Sequence, residues 1–390
     1  MKYIIIGNGV AGTEAALAIR KTDAEGDITL ISESTRLFYY RPKLIDYLAG
    51  ETTVEKFTLF KEDHYAKNRI TNVLGTKIVS VDAAGKRVMD AAGKTYAYDR
   101  LLLATGADPV KPPIGGANLE GVFTLRSVDD ADRIMEFCSG ADDLVVVGGG
   151  LLGLETANGL RRFAKNITVV EFFEWLLPRQ LDRQGGAILQ AMLGKKGLSF
   201  ALGDSVSEIR GSGRVESVLL KSGKEIKARA VIISAGIRGR SELAVSAGAA
   251  VNKGIVVDDR MMTSVPGIYA AGDPVEHQGC LYGIWPAARE QGRIAGLNMA
   301  GNETAYSRTL MASILKITGI DLYSAGDFNK DDVESYTCAV GDSYKKFLQK
   351  DSPVGAIILG DPEAIKIAQK VMEGKIDPSE LKNMIQRSLI

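Results

Sequence analysis

Within this chain of 390 residues, a short β-branched run followed by Gly-x-Gly-x-x-Gly occurs twice. Lys2 to Gly12 reads KYIIIGNGVAG, and Asp143 to Gly153 reads DLVVVGGGLLG. Downstream of the first lies a helical pattern over Thr13 to Lys21, then a second strand, Asp27 to Ile31, closing on Ser32-Glu33. Downstream of the second lies Leu154 to Phe163, then Asn166 to Val170, closing on Glu171. In both copies the acid falls about 20 residues beyond the last glycine, where a dinucleotide fold places the group that binds a ribose hydroxyl. The spacing has a physical reason. Gly7 and Gly148 allow the tight turn out of the strand, Gly9 and Gly150 remove the side chain that would block a pyrophosphate, and Gly12 and Gly153 let helix and strand pack closely. The phosphates then sit at a helix N-terminus, where free N–H groups and the helix dipole favour an anion. One such pattern is compatible with an ordinary glycine-rich turn. Two copies, each with strand, helix, second strand and acid in order, predict a chain that binds two dinucleotides.

Composition narrows the class. Glycine is in surplus at 43 residues with no collagen period, so backbone turns and close ligand approach must use it. The 48 basic residues cancel the 48 acidic ones, which argues against a nucleic-acid partner. Cys138, Cys280 and Cys338 lie far apart without C-x-x-C spacing, excluding a disulfide framework and a cysteine-rich metal site. His64 and His277 form no H-E-x-x-H and read as surface or locally bonded imidazoles, so no metal is expected. The apolar opening, Met1 to Ile6, is broken at once by Gly7-Asn8-Gly9, unlike a signal peptide. No stretch approaches the roughly 18 to 20 apolar residues of a membrane span. The expectation is a soluble, cytoplasmic protein.

Further landmarks follow in order. Leu101 to Gly106 is a buried-type strand ending in Thr105-Gly106, and Ala230 to Gly236 repeats that design after the second unit. Each can place a small residue beside a bound nucleotide. Thr263 to Asp273 gives a turn, a short strand and Gly272-Asp273, and Trp285-Pro286 then opens a helix through Gln291 and Met299. Proline fits the first helical turn because its missing N–H costs nothing there.

These signatures, in this order over essentially the whole chain, resemble the FAD-dependent pyridine nucleotide-disulfide oxidoreductase family. Within it, Tyr39-Tyr40-Arg41-Pro42, Leu177 to Asp182 and Ser313 to Ile320 are similar to NAD(P)H:rubredoxin reductases and the flavin-binding part of assimilatory nitrite reductases. The resemblance implies an α/β protein of two Rossmann-like, three-layer dinucleotide-binding domains and an α+β C-terminal interface domain. It implies FAD on the first unit, with Gly7, Gly9 and Gly12 at the pyrophosphate and Glu33 on the adenosine ribose. Arg41 would lie near the flavin or its phosphates, Thr105-Gly106 near the nucleotide, and Asp273 on the ribityl chain or pyrophosphate. Arg126 matches a family arginine near FAD, or else serves on the surface of the crossover. Trp285 aligns with the residue whose main-chain N–H faces the flavin pyrimidine, where the helix dipole can stabilise negative charge. The second unit would hold the nicotinamide nucleotide. Glu171, followed by Phe172-Phe173 and no arginine, favours NADH over NADPH, and Arg179 eight residues on can soften that preference. Glu155 matches the family glutamate beside the nicotinamide, or is an exposed first-turn acid favoured by the dipole.

What is missing directs the chemistry. Disulfide reductases of the family carry a C-x4-C pair after the first helix, and peroxidase and coenzyme A disulfide relatives a single cysteine near Phe38 to Tyr40. This chain has neither, nor any histidine in residues 306–390. The resemblance therefore implies electron transfer from NADH through FAD to a small outside carrier, rubredoxin-like, by a monomer or homodimer. Ferredoxin reductases run Arg-Pro-Pro-Leu-Ser-Lys at the corresponding segment, whereas Asp46 stands here where their flavin-side lysine would be. An NADH oxidase, an electron-input subunit of a nitrite reductase-like system and a redox-sensing flavoprotein are the alternatives. The order of signatures partitions the chain into a discontinuous FAD domain (1–110 and 241–305), an inserted nucleotide domain (111–240) and the C-terminal interface domain (306–390).

Overall fold

The computed structural model describes residues 1–317 and 319–388, the side chains of 314–317 excepted. The Ser313 to Ile320 stretch thus includes Thr318, which lies outside the described residues. The chain divides into two compact units: Met1–Lys43 with Thr52–Pro109 and Gly236–Thr309, and Leu44–Glu51 with Val110–Ala235 and Leu310–Ile390.

In the first unit five parallel strands lie in the order Ile268–Ala270, Arg100–Leu103, Lys2–Ile6, Asp27–Ile31, Ile70–Val73. Ile4, Ile5, Ile6, Leu101, Leu102 and Leu103 are all buried, as continuous apolar runs require when both faces of a parallel sheet are covered. Lys2–Ile6 is flanked by the strands that follow it on one side and on the other, so the strand order reverses at its C-terminal end. That reversal opens a crevice where ligands of such sheets bind. Its helix, Val10–Thr22, packs along Trp285–Met299. The approach is close: a Cβ on Gly292 would collide with the Ala11 carbonyl oxygen, and one on Gly296 with that of Ala15.

The second unit repeats the plan with Leu198–Leu202, Asn166–Glu171, Asp143–Val147, Ala230–Ile233 and Val122–Phe123, again parallel and again with the glycine-bearing strand central. The same unit contains a five-stranded antiparallel sheet, Ala312–Ile317, Ile320–Gly326, Pro353–Leu359, Ser343–Gln349, Glu334–Val340, with helices Pro362–Met372 and Pro378–Arg387 packed on it. Asp361 and Asp377 cap those helices through the backbone N–H groups of Glu363, Ala364 and Ser379. Asp182, from the Leu177 to Asp182 motif, caps Arg183–Lys195 and also accepts hydrogen bonds from Tyr344 Oη at 2.6 Å and Lys346 Nζ at 2.9 Å. The architecture is α/β with two Rossmann-like sheets and an α+β C-terminal part. No helix among the described residues is long and apolar enough to cross a membrane.

The two helical glycine environments give opposite expectations. Gly292→Ala gains intrinsic helix propensity but drives a Cβ into Ala11, so the unfolding free energy from urea melts should fall by roughly 1–3 kcal/mol. Gly194→Ala, in Arg183–Lys195 with no atom within 4 Å of the new Cβ, should raise it by about 0.5–1 kcal/mol.

Candidate functional site: two dinucleotide cradles

At the first cradle the chain leaves Ile6, turns at Gly7 with φ +116° and enters Val10–Thr22. A Cβ on Gly7 would strike the Ala104 carbonyl, and one on Gly12 the Gly7 carbonyl, so strand, turn and helix touch through backbone alone. Gly9 is different: no atom lies within 4 Å of the position its Cβ would take. The open space there, at a helix start with no side-chain cap and no first-turn acid, fits a phosphate. Buried donors in the same unit fit as well. Asn8 Nδ2, Arg41 Nε and Gln291 Nε2 are buried without a hydrogen-bond partner, as groups awaiting an oxygen-rich ligand would be.

Other residues assigned from the motifs gather in the same unit. Thr105 Oγ1 donates to the Arg240 carbonyl at 2.7 Å, and Gly106 follows with φ +72°. Gly272 N donates to Gln291 Oε1 at 2.9 Å, beside Ala11, and Asp273 is half-buried next to it. Trp285 begins its helix and stacks on Phe38 with ring centroids 5.9 Å apart, while Tyr40 meets it edge-on at 4.8 Å. The aromatic packing continues through Phe60 to Tyr65, whose hydroxyl donates to Asn8 Oδ1 at 2.9 Å. Arg41 lies over the Tyr39 ring, 6.0 Å from its centroid. Glu33 is exposed and paired with Lys77 at 3.2 Å and Arg240 at 3.1 Å. Arg240 also grips Asp108, so one guanidinium links the acid after the second strand to the segment after Thr105-Gly106. Sequence reasoning missed Arg240, since no local pattern ties it to residues more than a hundred positions away.

At the second cradle Gly148 turns with φ +117°, its Cβ position blocked by the Ser234 carbonyl, and Gly153 is blocked by the Gly148 carbonyl. Gly150 again faces open space at an uncapped helix start, Leu151–Leu160. Buried Glu171 accepts from Gly149 N at 2.5 Å and Phe173 N at 2.9 Å. Both carboxylate oxygens thus fix the turn around the cradle, and each retains a lone pair for a hydroxyl. Phe172 and Phe173 are exposed, as is Arg179. Arg126 falls in this second unit, just before the Ser127–Asp130 capping box, its own N–H donating to Asp130 at 3.1 Å. Gly236 stands where the chain re-enters the first unit, with φ +99° and open space beside it.

Glu155 is half-buried beyond the first turn of its helix, which disposes of an exposed first-turn acid. Residues 44–51 belong to this unit, a difference from the motif-based partition, and Leu44–Leu48 packs on Leu151–Leu160 and Val128–Cys138. Tyr47 Oη secures that segment by donating to Asp132 Oδ1 at 2.6 Å. Burial first, then the negative charge of Asp46, pushes the Glu155 carboxyl from an ordinary 4.5 up to about 7.

Comparison with known proteins now decides the family. Residues 1–292 match the family model described as pyridine nucleotide-disulphide oxidoreductase, and residues 312–376 match the rubredoxin NAD+ reductase C-terminal domain. The chain belongs to the pyridine nucleotide-disulphide oxidoreductase family. It is 35% identical over 388 residues to a nitrite reductase [NAD(P)H] of Bacillus subtilis, covering 97% of this chain and 48% of that one. It is 31% identical over 365 residues to the NADH-rubredoxin oxidoreductase of Clostridium acetobutylicum, covering 92% and 91%. The crystal structure of an NADH:rubredoxin oxidoreductase from Clostridium acetobutylicum superposes with TM-score 0.83 at 30% identity, covering 96% of each chain. The reductase of a covalent putidaredoxin reductase-putidaredoxin complex superposes at 0.88 with 27% identity, covering 98% and 95%. The chain spans about half the length of the two Bacillus subtilis relatives it matches, at 48% of each.

The raised Glu155 pKa makes a stability prediction. A carboxyl that binds its proton more tightly when folded contributes most below pH 4.5, and that contribution drains away as pH rises to about 7. Glu155→Gln should therefore leave stability unchanged at pH 4 and raise it at pH 8, by on the order of 2–3 kcal/mol, in urea melts at the two pH values.

Proposed function

We propose that this chain is an FAD-dependent NADH reductase of a small electron-carrier protein, rubredoxin-like in kind. The observation that carries the reading is the pair of cradles, each with an open central glycine at an uncapped helix start, in a chain whose C-terminal part matches a rubredoxin reductase domain. FAD belongs on the first cradle and the nicotinamide nucleotide on the second. When bound, FAD supplies what no side chain can, acceptance of a hydride from NADH and release of single electrons.

The chain's own residues position, shield and hold protons. First-turn N–H groups of Val10–Thr22 and Leu151–Leu160 bind the two pyrophosphates. Arg41, Thr105, Gly106, Asp273 and Trp285 line the first ligand. Glu33, steadied by Arg240 and Lys77, takes the adenosine ribose. Glu171 takes the ribose on the second cradle, where its carboxylate repels a 2′-phosphate and favours NADH while NADPH is tolerated. Glu155, near-neutral in pKa, orients the nicotinamide and carries a proton over the working pH range. Phe38 and Tyr40, packed on Trp285, fill the place of a relay cysteine, so the acceptor is reduced without a protein thiol. The antiparallel sheet and its two helices form the surface for carrier docking or for a second copy, and the protein works in the cytoplasm.

Anaerobic NADH should bleach the yellow chromophore within the mixing time of a stopped-flow instrument, and added rubredoxin should restore the colour faster than ferredoxin or oxygen does. Failure to bleach overturns the reading. Fastest restoration by oxygen makes the protein an oxidase, and by a nitrite reductase module an input subunit.

A further inference from the structure

The carboxamide of Gln291 is 1% exposed and made directional by its partner. Gly272 N–H can only donate, so the atom it meets at 2.9 Å must be Oε1, which leaves Nε2 buried with two hydrogens and no acceptor. Gln291 precedes Gly292, whose missing Cβ lets the helix lie against Ala11, so this donor is held beside the first turn of Val10–Thr22. Asn8, between the two glycines that open that helix, has a buried donor of the same kind, its oxygen meeting two hydroxyls. Its Oδ1 accepts from Tyr65 Oη at 2.9 Å and Thr13 Oγ1 at 3.3 Å, and its buried Nδ2 has no partner. Two amides, each with its oxygen engaged and a buried donor without a partner, thus stand at the start of Val10–Thr22, Asn8 next to the open position of Gly9 and Gln291 next to the Gly292 that packs on Ala11. A buried donor without an acceptor is costly, and a ligand or ordered water that accepts from it removes the cost.

We propose that Gln291 and Asn8 are binding residues for FAD, their carboxamide nitrogens donating to its oxygen acceptors beside the first turn of Val10–Thr22. The proposal rests on the reading that FAD occupies the first cradle. It explains why Gln291 reaches Gly272: one side chain fixes the Gly272-Asp273 turn with its oxygen and meets the ligand with its nitrogen. It also gives Tyr65 a role, as the hydroxyl that sets the orientation of the Asn8 amide.

Near-isosteric acids test it. Gln291→Glu and Asn8→Asp keep the oxygen that Gly272, or Tyr65 and Thr13, require, and replace the donor by a second oxygen. Each should weaken FAD binding about 10- to 100-fold when the FAD-free full chain is titrated and flavin fluorescence quenching is read. The melting temperature of the FAD-free variants should stay close to that of the FAD-free parent. Tyr65→Phe, which leaves both amides in place, should weaken FAD several-fold and carries the test if an acid variant fails to fold. Unchanged FAD affinity in variants of a parent that binds FAD overturns the proposal alone. So does a fall in FAD-free melting temperature without loss of affinity, since the amides are then structural. A parent that binds no FAD overturns the proposal together with the reading beneath it.

Discussion

The backbone N–H groups left unpaired at helix starts are the constraint on which the rest of this structure depends. Every helix leaves such donors at its N-terminus, and most chains satisfy them with a side chain. This chain does so at Val128–Cys138 with Ser127, at Arg183–Lys195 with Asp182, at Pro362–Met372 with Asp361 and at Pro378–Arg387 with Asp377. It withholds a side-chain cap at Val10–Thr22, Leu151–Leu160 and Trp285–Met299. Forgoing a cap costs roughly 1 kcal/mol per helix. The short helices Val54–Phe57, Glu62–Lys67 and Glu242–Ser246 also go uncapped, while among the described helices of ten or more residues the three without a side-chain cap are those whose starts carry the glycine cradles and the Trp285 turn. A ligand with oxygen acceptors at those positions returns the lost hydrogen bonds with charge assistance.

Close backbone packing keeps those helix starts in place. Gly7 against Ala104 and Gly148 against Ser234 bring adjacent strand ends together, and Gly12 and Gly153 press each helix onto its own turn. Gly292 and Gly296 then bring a second helix onto the first in the first unit, so that Gln291 reaches Gly272. Side chains would enforce distances of several ångströms at each of these points. Part of the glycine content thus serves points where two backbones must meet, and much of the rest occupies turns of positive φ.

The parts of the fold that are local in sequence were legible before the structure. The two strand–turn–helix units, their closing acids, the strand ending in Thr105-Gly106 and the helix opened by Trp285-Pro286 all follow from periodicity and turn chemistry over a few residues. What stayed hidden depends on tertiary contact: Arg240 with Glu33 and Asp108, Asp182 with Tyr344 and Lys346, and residues 44–51 joining the second unit. Each joins positions separated by a long intervening chain, and a single charged residue in a loop carries no period to reveal its partner. Asn8 lies in the middle of a motif read for its glycines, and its side chain drew no notice because the motif tolerates any residue there.

The pairing of Asp46 with Glu155 shows how one substitution of type changes the chemistry available. A lysine beside a half-buried glutamate would hold it ionised, because an opposite charge favours the charged form. An aspartate does the reverse, adding its field to the desolvation that already resists ionisation, and the carboxyl titrates at about 7. A fixed ion pair has nothing to give or take at neutral pH. A carboxyl poised there exchanges a proton with small energetic cost in either direction.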